Sequence, residues 1–416
     1  MKNIFFSTIA FLFFSQNSIS QEKIKADLAV INFLGKSPYK SEQNSDSESL
    51  LSLLYFKPQP VNNPKIGYMN AKGKIVVKSK YGMASDFYEG YANIITDDST
   101  YGYIDKKGNE TLFKQYDKTY FWYGNTGIAT VNNKSALIDR KGNPLTEFIY
   151  EIIYFFGFNN FKGMISKDES HILNNKGKVI FSKNPLFNIK SHYFEKDSLL
   201  IFEKEIENKK LRGLIGLDYV VVVEPKYDQI YFIEDKELFA VKKDKKYGFI
   251  NKSGVEVIPL IYDQVALNIT EDLIAVNQNN KCGFINRNNE IIIPFEYDET
   301  YPFFDGVAFV KKENFYIAID KQNNNKFEFG ADRTKFPFFS NKLCVFKENN
   351  KYGYINKKGK AVISAIYDYA YPFVNGMAYV ELNGKSGFIS KKGKKVIPIK
   401  YKQLWLESEG LFRFVE

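Results

Sequence analysis

One pattern recurs along most of this 416-residue chain, and it limits the fold more than any other feature. A clear copy runs Tyr247-Gly248-Phe249-Ile250-Asn251, then Gly254, then Val257-Ile258-Pro259, then Tyr262-Asp263. The next has Cys282-Gly283-Phe284-Ile285-Asn286, Ile292-Ile293-Pro294 and Tyr297-Asp298. Others start at Gly67, Gly102, Gly353 and Gly387, with weaker ones near Ala136, Ile172, Gly213 and Phe315. The better copies are spaced 34 or 35 residues apart. Self-similarity at a fixed period of this size marks a repeat architecture.

Each segment of the repeat has a local physical meaning. The aromatic-rich start suits a strand, where large rings pack on a pleated surface. Asn/Asp-x-x-Gly follows at 105–108, 139–142, 251–254 and 356–359, the chemistry of a type I turn closed by a left-handed residue. A second strand leads to Pro259, Pro294 or Pro398, where a missing N–H is expected to stop the ladder. A tight Tyr-Asp connection and a short third strand, such as 377–382, complete the unit.

The expected fold is therefore all-β: a tandem array of about ten three-stranded antiparallel repeats of roughly 35 residues. Some thirty strands cannot share one twisted sheet, because open sheets rarely exceed ~10 strands. Propellers usually have ~4–8 blades of four strands. The count favours an open, solenoid-like array, with one or two β-propellers as the alternative.

The organisation expected is a signal peptide at 1–20, a helix or linker at 21–62, a first array at 63–183, an irregular connection at 184–210 and a second array at 211–416. Lys2, the apolar run Ile4 to Phe14 and Ser18-Ile19-Ser20 have the layout of a secretory signal. The expected location is thus periplasmic or secreted, with no membrane-spanning segment once the signal is removed. Cys282 and Cys344, in different repeats, are expected as two small core residues.

The repeat resembles the WG-repeat family, through Tyr247-Gly248-Phe249-Ile250-Asn251, Gly254, Val257-Ile258-Pro259, Tyr262-Asp263 and their equivalents. It departs from that family at the tryptophan, which Tyr101, Tyr247, Cys282, Tyr352 and Ser386 replace; Trp122 and Trp405 lie elsewhere. The resemblance implies a scaffold, for binding, with no catalytic residues to carry over.

Chemistry is scarce. His171 and His192 are the only histidines, which argues against a Ser-His-Asp triad or a multi-His metal site. The Tyr-Asp pairs at 227–228, 262–263, 297–298 and 367–368 recur too regularly for a unique acid/base pair. They read as a core plug and a cap. No catalytic residue, metal site or cofactor is expected. A glycan-acting enzyme with acidic surface residues, and a purely structural envelope component, are the competing functions.

The net charge of +10 rests on lysine, since Arg occurs only at 140, 212, 287, 333 and 413. Proteins that read nucleic-acid sequence lean on Arg, so a nucleic-acid partner is not expected. Basic residues cluster inside the hairpin turns: Lys106-Lys107, Arg140-Lys141, Lys357-Lys358 and Lys391-Lys392. The candidate binding residues are Lys107, Lys141, Lys252, Lys358 and Lys392, forming a positive row for a protein or an anionic envelope polymer. The Asn-rich stretch 320–332 and the irregularity at 184–210 are further places where copies differ.

Overall fold

The computed structural model describes residues 65–416 apart from 88–89, 121, 158–159, 167–168, 183–187, 194–198, 217, 219, 234–236 and 331–332. The expected signal segment 1–20 and the whole of the 21–62 linker lie outside the described residues.

The described chain is all-β, with no α-helix, and forms ten small antiparallel sheets. Eight have four strands and two have three. The strand missing from the sequence-based count is a two-residue edge strand found in six of the ten sheets, four times directly after Tyr-Asp, as in Gln264–Val265, Glu299–Thr300 and Tyr369–Ala370. Two residues show no periodicity, so a four-stranded unit reads as three.

The first sheet combines the two ends of the described chain. Ile66–Asn70 pairs with Ile75–Tyr81 on one side and with Leu411–Val415 on the other, and Gln403–Leu404 completes the sheet. This end-to-end closure is the propeller-type construction, which was the alternative to an open array.

The chain divides into two compact units. Numbered in chain order, sheets 1–5 (sheet 2 at 83–112, sheet 3 at 118–139, sheet 4 at 152–182, sheet 5 at 188–227) lie in one with residues 403–416, save Tyr227, and sheets 6–10 (229–262, 264–297, 299–330, 343–367 and 369–401) lie in the other. Within each unit, consecutive sheets share apolar cores. Phe249, Ile258 and Tyr262 of sheet 6 pack with Val265, Ile274 and Ile285 of sheet 7. Tyr68, Val77 and Tyr81 of sheet 1 pack with Ala84, Ile94 and Ile104 of sheet 2. A fully buried ring or branched aliphatic contributes about 1.5–3 kcal/mol, so these shared layers are what hold one repeat to the next.

The repeat glycine has a specific cause. In five copies the outer strand bulges opposite it: Tyr247 pairs with Tyr262 but Phe249 with Ile258, and sheets 1, 7, 9 and 10 repeat the shift. A Cβ on Gly248 would lie 2.5 Å from the Ile258 carbonyl oxygen. Where Ile317 takes this place, the outer strand runs past it in regular register, Ile317 opposite Glu328. Where Ala136 takes it, no fourth strand forms among the described residues.

Pro259, Pro294 and Pro398 lie within Glu256–Tyr262, Ile291–Tyr297 and Lys395–Tyr401, so they do not end the strand as expected. Each sits in the bulge of an outer strand, where a missing N–H costs no ladder bond.

The 184–210 stretch contributes regular structure: Asn188–Tyr193, Leu199–Ile206 and the start of Lys209–Gly216 belong to the fifth sheet. The Asn-rich stretch is likewise part of the repeat. Asp320 accepts hydrogen bonds from the Gln322 and Asn324 N–H groups, and Asn325–Gly330 is the following strand.

Candidate functional site

The Asn/Asp-x-x-Gly turns that carry the basic residues are built alike. In Asp105–Gly108 the Asp105 carboxylate accepts the Lys107 N–H at 2.8 Å and the Asn109 N–H at 2.9 Å. The Gly108 N–H bonds to the Asp105 carbonyl, and Gly108 has a φ of 88°. Asn251 and Asn356 form the same arrangement, and Asn289, with a φ of 64°, fills the left-handed place in sheet 7. The turn acid or amide is thus committed to the backbone.

The two residues inside the turn differ in their contacts. In six turns a basic first residue reaches back to the protein, whereas Lys391 is exposed. Lys106 pairs with Glu409 at 2.9 Å, Lys252 approaches Glu237 at 3.9 Å, Arg287 lies 3.5 Å from Asp272 and Lys321 lies 3.2 Å from Glu271. Lys357 donates to the Asp305 carbonyl. Arg140 is held in an aromatic box, its guanidinium carbon 3.6 Å from the Tyr91 ring centre, 4.7 Å from Trp122 and 4.8 Å from Tyr103.

The second turn residue is exposed. This is the place of Lys107, Lys141, Lys358 and Lys392. Lys252, the fifth candidate, is a first-position residue and belongs with the paired set. In sheets 6, 7 and 8 the second position holds Ser253, Asn288 and Gln322, so the expected basic row is interrupted there.

In the unit of sheets 1–5 the row is longer than the candidates implied. Lys72 and Lys176 occupy the same exposed place, so four consecutive sheets carry Lys72, Lys107, Lys141 and Lys176. The turns stand side by side, because each turn glycine backs onto the preceding sheet. A Cβ on Gly108 would lie 2.9 Å from Val77, one on Gly142 2.8 Å from Phe113, and one on Gly177 2.3 Å from the Leu145 carbonyl. The signal for Lys72 and Lys176 was present in Asn70-Ala71-Lys72-Gly73 and Asn174-Asn175-Lys176-Gly177, where only one of the two turn residues is basic.

The Tyr-Asp pairs are structural. Tyr262 and Tyr297 are buried, and their hydroxyls donate to Asn289 and Asn323 in the turns of the following sheets, at 2.6 and 2.8 Å. Asp228, Asp263, Asp298 and Asp368 accept the first N–H of a two-residue hairpin turn, at Asp244, Asn279, Glu313 and Asn383. Lysines donate to Asp263, Asp298 and Asp368, and together with these N–H groups hold the carboxyls below the usual aspartate range.

His171 Nδ1 lies 3.1 Å from the Tyr150 hydroxyl, and His192 lies in the strand Asn188–Tyr193. Cys282 and Cys344 are buried and not bridged. Among the described residues no three His, Cys, Asp or Glu side chains gather as a metal would require. No helix among them is long and apolar enough to cross a membrane.

The sheets, their bulges and the pairing of the two ends of the described chain in one sheet define a β-repeat scaffold of propeller-type construction. The family model "WG containing repeat" matches residues 66–98, 101–134, 213–247, 247–282, 283–316, 352–385 and 387–416. The chain belongs to the WG-repeat family. No curated protein matches it. Among solved structures it is similar to a eukaryotic initiation factor at 10% identity, TM-score 0.45, covering 85% of this chain and 98% of that one. It is also similar to BamB from Moraxella catarrhalis at 11% identity, TM-score 0.30, covering 64% and 90%.

Proposed function

We propose that this chain is an exported, non-catalytic scaffold that binds an anionic polymer of the cell envelope, or a protein displaying one, through the lysine-bearing turns. The observation that carries this is the row of exposed lysines Lys72, Lys107, Lys141 and Lys176 at the same turn place on consecutive sheets. An exposed charge contact contributes about 0.2–1 kcal/mol, so one lysine binds nothing but a spaced row adds up on a polymer of matching charge. Screening over about 8 Å at physiological salt makes such binding salt-sensitive. Export is supported by the signal-like residues 1–20.

The test is capture from a cell-envelope extract by the immobilised chain at low and at high salt. Material retained at low salt, released at high salt and lost when the four lysines become glutamine supports the reading. Capture indifferent to both salt and the lysines would overturn it.

A further inference from the structure

The outer strands expose branched apolar side chains together with an open hydrogen-bonding edge, a combination that invites pairing with another chain. Six of them are seven residues long, and five carry protection. Ile75–Tyr81 has Lys78 and Lys80, and Val221–Tyr227 has Glu224, Pro225 and Lys226. Glu256–Tyr262 has Glu256 and Pro259, Ile291–Tyr297 has Pro294 and Glu296, and Lys395–Tyr401 has Pro398 flanked by lysines. The sixth, Ala361–Tyr367, reads Ala-Val-Ile-Ser-Ala-Ile-Tyr, with neither a charge nor a proline. Ser364 stands where three sister strands have proline, three residues before the strand's last tyrosine.

This strand ends its sheet, with no strand beyond it among the described residues. Ile363 and Tyr367 turn inward and are buried, while Val362 and Ile366 are 47% and 51% exposed. Its five sisters that bulge or carry proline show that a bulge alone is not the only protection the fold uses, and here only the bulge remains.

We propose that Ala361–Tyr367 is a self-pairing edge: two copies of this chain associate by laying this strand antiparallel against itself about Ser364. The choice of a second copy rests on complementarity. In that arrangement Val362 and Ile366, on either side of the bulge at Ser364, face each other across the two copies, and Lys360 and Asp368, of opposite charge just beyond the two ends of the strand, come together twice by symmetry. Lys360, Val362, Ser364, Ile366 and Asp368 are all exposed. Asp368 already accepts from Lys351 and the Asn383 N–H, and the second lysine adds to that pair. An isologous contact of one strand is small beside the ~1,200–2,000 Å² of a stable interface, so the dimer is weak and concentration-dependent.

The test is sedimentation equilibrium of the full chain from about 5 to about 500 µM, the range in which a weak dimer forms. The native chain should shift toward dimer with concentration. Ser364→Pro should stay monomeric and keep its melting temperature, since sister strands accommodate proline at this place. Ser364→Cys should form a disulfide-linked dimer under mild oxidation, whereas Ser253→Cys should not. A native chain that stays monomeric throughout, a dimer that persists in Ser364→Pro, or equal cross-linking by the two cysteine variants would each overturn the proposal.

Discussion

The Asp263 carboxylate accepts a 2.8 Å hydrogen bond from the backbone N–H of Asn279, sixteen residues later. Lys246 donates to its other oxygen at 2.6 Å. One side chain thus ties the start of a sheet to the hairpin turn at Asn279-Asn280, whose φ angles are 54° and 62°. Removing it leaves a left-handed turn without its cap. Asp263→Ala should cost about 1 kcal/mol, the net value of a partly exposed hydrogen bond, read as a lower urea midpoint with an unchanged slope.

The same cap recurs at Asp298 and Asp368, and each carboxyl is held below the usual range first by a lysine and then by a backbone N–H. A depressed folded-state value stabilises the protein above the unfolded value of 3.8 and is lost as the pH falls through the folded one. Urea midpoints should therefore be level from pH 7 to about pH 5 and fall below about pH 4. Asp263→Ala should fall less steeply than the native chain over that acid range. An identical acid slope in the two proteins would contradict this account of the pairs.

Gly248 is fixed by backbone, since the Ile258 carbonyl and Pro259 backbone atoms lie 2.5–2.8 Å from where its Cβ would be. Gly248→Ala should cost about 1–3 kcal/mol by forcing the bulge to move. The change should show as faster exchange of the amides in Glu256–Tyr262 than in Lys246–Asn251, because the outer strand has one partner and the inner one has two.

Arg140 is the exception among the first-position turn residues, boxed by Tyr91, Tyr103 and Trp122. A flat guanidinium stacks on rings in a way an ammonium cannot. Arg140→Lys should cost about 1–2 kcal/mol and shift the emission of Trp122, whose ring is otherwise buried. Lys106→Gln, at the same turn place but in a surface ion pair, should change stability by less than about 1 kcal/mol.

Much of this was readable from the residues. The Asn/Asp-x-x-Gly turns, the buried tyrosine and the capping aspartate each follow from local chemistry. The closure was not, because pairing Ile66–Asn70 with Leu411–Val415 is a contact between distant segments that no local pattern encodes. Nor was the edge strand that is only two residues long in six of the sheets. The turns at Asn132-Asn133, Asn279-Asn280 and Asn349-Asn350 did leave a signal, since paired asparagines tolerate positive φ at both places. The basic row was half legible: the lysines stand out in sequence, but their division into a paired and an exposed position depends on what lies across from each turn.

The central claim is that the exposed second-position lysines of sheets 1–4 bind an anionic polymer. The most direct measurement is the salt concentration at which the full chain elutes from an immobilised sulfated glycan, heparin-agarose, compared with the variant carrying Lys72→Gln, Lys107→Gln, Lys141→Gln and Lys176→Gln. Neutral agarose serves as the control. The account predicts retention of the native chain on heparin only, elution of the variant at clearly lower salt, at least about tenfold weaker binding and an unchanged melting temperature. Co-elution of the two proteins, or equal passage of both through the column at low salt, would contradict it.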